Sequence, residues 1–174
     1  LKVLQADLEE EFDVNEEKIF VNNFISFLHW RLGDREEAFA ASKRALELEE
    51  EPNLVNRCNE VLFHIELEKH YCSKKLLDEI YEKIKNKRLQ FRATAEIGYC
   101  YSRLGPQRHE KAVQLFQRAI QGIAPERNLL WEFRLALTLR RQSHFFQMTT
   151  AENYRPEEKK EEAARLFYEI LKFP

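Results

Sequence analysis

Arginine recurs at one register of this chain, and an aromatic ring and a histidine accompany it. Arg31, Arg103 and Arg141 each lie five residues after a small residue, Ser26, Gly98 and Ala136, in stretches of helical apolar periodicity. Tyr99 stands one helical turn before Arg103, and His109 follows Arg103 by six residues. A guanidinium is a permanently charged fork that matches phosphate oxygens, and an aromatic ring offers a face on which an unpaired base stacks. Arg103 and Arg141 beside Tyr99 would supply both in one groove, with Arg31 continuing the row and Glu66 interrupting it. The same arginines would equally bind carboxylates, whether of a partner peptide or of acidic helices in the same chain. Both readings stay open at this level.

Other chemistry finds little support. No GxSxG, P-loop, GxGxxG or HExxH pattern occurs, and His109–Glu110 continues with Lys-Ala-Val-Gln. His64, Glu68 and Cys72 share an i, i+4, i+8 spacing, but an expected helix break near Tyr71 separates Cys72 from the others. The acidic run Asp7, Glu9, Glu10, Glu11 and Asp13 lacks the glycine and the spacing of a calcium loop, so it reads as a solvated helix end. No nucleophile stands with a base in a known motif. A protein that binds, without a cofactor or metal and without catalysis, is the expectation.

Charge is distributed unevenly behind a net value of -2. Residues 1–84 carry 11 Lys and Arg against 20 Asp and Glu, whereas residues 85–144 carry 12 against 4. The basic block holds Tyr99, Arg103, His109 and Arg141. Such a block attracts an anionic partner, while a pI of about 6.3 argues against indiscriminate nucleic-acid binding. The three cysteines, Cys58, Cys72 and Cys100, are odd in number and without CxxC spacing, which argues for a reducing compartment and places the chain in the cytosol. The longest uncharged run is far shorter than the roughly 20 residues of a membrane span, so no membrane association is expected.

The elements that must position these residues are helices. With 4 Gly and 5 Pro in 174 residues there is too little turn chemistry for a many-stranded sandwich or barrel. Apolar stripes and turn signals mark four antiparallel pairs. The first runs through Phe20, Phe24, Phe27 and Leu28, breaks at Gly33 and restarts at Asp34 with Ala38, Ala41 and Ala45. The second spans 53–69 and 71–85 and has no glycine at its turn. The third runs from 93 to 104, breaks at Gly105–Pro106 and resumes over 110–120; the fourth comprises 128–145 and 156–171, with the polar stretch 146–155 between them and its loop Gln147–Arg155 expected to be the most mobile segment.

Self-similarity at this period matches the tetratricopeptide pattern: a small residue within the first helix, glycine at the turn, and A-x3-F-x2-A in the second. Ala112, Phe116 and Ala119 fit the last element fully, while Ser42 stands where the aromatic is usual in the first pair. The expected fold is thus an all-α superhelix of antiparallel pairs, with residues 1–174 as one helical domain. The final helix is apolar almost all round, through Ala163, Ala164, Leu166, Phe167, Tyr168, Ile170, Leu171 and Phe173. A following helix or a second copy of the chain is expected to cover that surplus.

The stretches EIGYCYSRLGPQRHEKAVQLFQRAI (96–120) and WEFRLALTLRRQ (131–142), a long polar turn and EEAARLFYEILKFP (161–174), with NNFISFLHWRLGDREEAF (22–39) before them, resemble the N-terminal portion of the interferon-induced proteins with tetratricopeptide repeats, the IFIT family. The resemblance implies a non-enzymatic, antiviral protein of innate immunity. Some members hold the 5′ end of single-stranded RNA, phosphorylated or capped, in a basic tunnel; others chiefly form complexes with relatives. It implies RNA contacts for Tyr99, Arg103 and Arg141, and His109 falls where a tyrosine is often found. The chain departs from the family pattern with Leu135-Ala136 for Tyr-Ala and Gln142 for Leu. It further implies that residues 1–174 are the N-terminal portion of a longer solenoid.

Overall fold

The computed structural model describes residues 15–49, 53–147 and 156–173; the acidic run from Asp7 to Asp13 and most of the expected mobile loop lie outside the described residues. Among the described residues there are eight α-helices and no strand: α1 Asn15–Arg31, α2 Arg35–Glu47, α3 Leu54–Glu66, α4 His70–Lys83, α5 Lys87–Arg103, α6 His109–Gly122, α7 Leu129–Gln147 and α8 Pro156–Leu171. The expected all-α architecture of paired helices is what forms. The helices gather into two compact units, Leu1–Ala93 and Thr94–Pro174, with α5 running through the boundary.

In the first unit α1 packs against α2, and α3 packs against α4 and also against α1 and α2. Small residues permit this approach. Ala38, Ala41 and Ala45 have no exposed surface, and the buried Ser26 hydroxyl donates to the Ala38 carbonyl at 2.8 Å. The turn follows from its residues: Gly33 has φ +85°, and Asp34 caps α2 by accepting from the Glu37 amide. Ser42 replaces the usual aromatic because a polar hub occupies that space. The Asn56 amide donates to Asn23 Oδ1 at 2.7 Å and to both the carbonyl and the hydroxyl of Ser42 at 3.1 Å, so one side chain joins α1, α2 and α3.

Trp30 stacks on Phe63 at 4.1 Å and donates its indole N–H to Glu66 at 2.6 Å. Glu66, which interrupts the arginine row, therefore serves the packing of α1 on α3. The α3–α4 turn, lacking glycine, places Glu68 at φ +57°. This turn also breaks the helix between His64 and Cys72. Among the described residues no three His, Cys, Asp or Glu side chains come together to hold a metal ion, and no helix is long and apolar enough to cross a membrane.

In the second unit α6 packs against α7 and α7 against α8. Gly98 of α5 lies so close to α6 that a Cβ there would meet Leu115 Cβ at 3.3 Å and the Ala112 carbonyl at 3.4 Å. Ala112, Phe116 and Ala119 are fully buried, as their spacing leads one to expect. Gly105, at φ +106° and ψ 170°, precedes a short 3-10 turn, Pro106–Arg108, which absorbs the two extra residues of this connection. In α8 the buried contact is Ala163, while Tyr168 and Leu171 are 60% and 82% exposed.

Two turn substitutions of opposite sign check this account of the backbone. Gly105 occupies a region essentially closed to other residues, so Gly105→Val should destabilise the chain by about 1–3 kcal/mol. Glu68→Gly should stabilise it by up to about 1 kcal/mol by relieving the left-handed conformation. Both are read by chemical denaturation.

Candidate nucleic-acid interface

Helical spacing places two charged stripes in the second unit. On α5 the stripe is Glu96, Tyr99, Arg103; on α7 it is Arg134, Thr138, Arg141. They face one another, because the Arg134 guanidinium lies 5.4 Å from the centre of the Tyr99 ring. At one end the stripes are closed. Glu96, Tyr99, Arg134 and Thr138 are all buried, and the Thr138 hydroxyl donates to the Arg134 carbonyl at 2.7 Å.

At the other end they open. Arg103 is half-buried, and Arg108, Arg140 and Arg141 are exposed. The start of α6 adjoins this end of α7: the Gln142 amide donates to Glu110 Oε2 at 2.7 Å, and the Arg141 charge acts on His109. Arg103, the 3-10 turn and His109 follow one another within a few residues, so α5, α6 and α7 all contribute here. The arrangement supplies several guanidinium groups and one neutral imidazole, a set suited to oxyanions.

His109 itself is buried, 5% exposed. Burial, and next the charge of Arg141, lower its pKa below the ordinary histidine value of 6.5, against a hydrogen bond to the Ser102 backbone that favours protonation. The positive charge at this end therefore comes from arginine at neutral pH. Burial, and next the Glu96 carboxylate, push the Cys100 thiol far above its ordinary range, which disfavours the thiolate.

Of the residues that the sequence singles out, Tyr99, Arg103, His109 and Arg141 come together in the second unit. Arg31 is exposed in the last turn of α1, in the first unit. Tyr99, expected as a platform for a base, is 1% exposed. Its neighbour Arg134 was missed as a site residue. The signal was present: a charged residue two turns before Arg141 on one stripe, between the apolar Trp131 and Leu135. Comparison with family models, curated proteins and solved structures finds no match to this chain.

The depressed pKa of His109 makes a prediction with a definite sign. Near pH 6 the unfolded chain binds more protons at this residue than the folded one, so its contribution is fully present above 6.5 and is lost as pH falls through the folded value. Thermal stability should decline on acidification from about pH 6.5 and level off once the folded value is passed, and His109→Gln should flatten the decline. By nuclear magnetic resonance titration, Arg141→Ala should raise the His109 pKa towards 6.5; an unchanged value would place Arg141 too far away to act.

Proposed function

We propose that this chain is a non-enzymatic tetratricopeptide-type protein of innate antiviral defence that binds single-stranded RNA in the cytosol through phosphate contacts of Arg103 and Arg141. The observation that supports it best is the open cationic end of the second unit, where α5 and α7 present these arginines beside His109. The net charge of the 85–144 block favours a polyanion, and the resemblance to the IFIT family supplies the class of polyanion. Permanently charged forks hold phosphate without selecting a sequence, so affinity comes largely from counterion release and depends strongly on salt.

A second reading has its own observation. Tyr168 and Leu171 are exposed on α8, with Phe173 half-exposed beyond it. An apolar face of this kind suits a partner helix, so an adaptor that holds a related repeat protein or a second copy of itself is the alternative.

Salt dependence separates the two. Arg103→Ala and Arg141→Ala should each weaken binding of a single-stranded RNA oligonucleotide and flatten the slope of log affinity against log salt by about 0.7. Fluorescence anisotropy across a range of salt reads both quantities. Unchanged affinity and slope in both variants would leave the adaptor reading.

A further inference from the structure

Arg134 is a charged side chain that phosphate binding does not use. It is 6% exposed, its guanidinium 5.4 Å from the centre of the Tyr99 ring and 5.9 Å from that of Phe133. Phe133 in turn meets Phe167 of α8 edge-on at 5.8 Å, so the group is seated between α5 and the α7–α8 pair. A guanidinium tolerates such a place because it is weakly hydrated and stacks on aromatic faces.

This seat matters because of what lies next to it. Four residues separate Tyr99 from Arg103, a rise of about 6 Å along α5. The base adjoining a phosphate on Arg103 would fall within reach of the Tyr99 ring if a face of that ring were open. With Arg134 over it and 1% of the residue exposed, the ring offers no such face.

We infer that Arg134 is a specificity-determining positioning residue: by covering Tyr99 it denies the cationic end a stacking platform, so bound RNA is selected for its phosphate and not for the adjoining base. The inference rests on the RNA-binding reading above. It adds a role for a side chain that touches no ligand, and it makes recognition at this end indifferent to base identity.

The test uses single-stranded RNA oligonucleotides with the same 5′-phosphate, whose first nucleotide is adenosine, uridine or abasic. The unaltered chain should bind all three within about twofold. In Arg134→Ala the exposed ring should favour adenosine over the abasic strand by roughly fivefold or more, the range of stacking on an aromatic side chain. Arg134→Lys, which returns a cation to the ring, should restore indifference, and adding Tyr99→Leu to Arg134→Ala should abolish the gain. A merely structural role would weaken all three strands alike and leave their ratio at one, which would overturn the inference. If Arg134→Ala loses its helical circular dichroism, Tyr99→Leu alone decides. Affinity within twofold of the unaltered chain supports the lock, and loss of a preference for adenosine contradicts it. Failure of the unaltered chain to bind any strand at low salt would sink the RNA reading and this inference together, a result distinct from base discrimination.

Discussion

Close approach of neighbouring helices is the constraint on which the structure depends. Where α5 meets α6, a methyl group at Gly98 would lie tightly against Leu115 Cβ at 3.3 Å and the Ala112 carbonyl at 3.4 Å. Where α1 meets α2, the same need is met by Ser26 and Ala38, whose hydroxyl and carbonyl join across the contact. Tyr99 follows Gly98 directly on α5, and its ring meets Arg134 of α7. The contact of Arg134 with the Tyr99 ring is made among these packed helices.

The electrostatics divide along the same stripes. Charges at the closed end are held in place by rings and by the walls of the unit, and their energy is little screened by salt. Arg141 at the open end is exposed to water and Arg103 partly so, and there the attraction of a guanidinium for any anion falls with ionic strength. Arg103 also stands in the last turn of α5, where a cation is favoured by the helix macrodipole. A residue in that position stabilises the helix whether or not a ligand is present, so its type alone does not reveal a binding role. The neighbouring His109 and the second stripe distinguish this end from an ordinary helix terminus.

Much of the fold was legible because it is written in local patterns. Gly33, Asp34, Gly105 and Pro106 set turns through their own backbone preferences, and the Ala112, Phe116, Ala119 spacing is a property of one helix. What escaped was non-local. Asn56 looks like any polar helical residue until α1 and α2 arrive on either side of it. Glu68 takes a left-handed conformation because the α3–α4 pair must turn there, against its own preference. Of the candidate site, the grouping of Tyr99, Arg103, His109 and Arg141 was visible as register. The burial of Tyr99 was not, since it is set by neighbours from other helices, Arg134 of α7 among them. Periodicity identifies which face a residue occupies, and only packing decides how much of that face remains open.

On the proposed reading, an anionic strand binds at the open end of the second unit. Side-chain resonances of the arginines, followed while single-stranded RNA is added to the whole chain, test it most directly. The Arg103 and Arg141 Nε–H signals and the His109 ring should shift together and saturate together, while the Tyr99 ring signals should stay in place. Shifts confined to the first unit, or none at these residues at low salt, would contradict it.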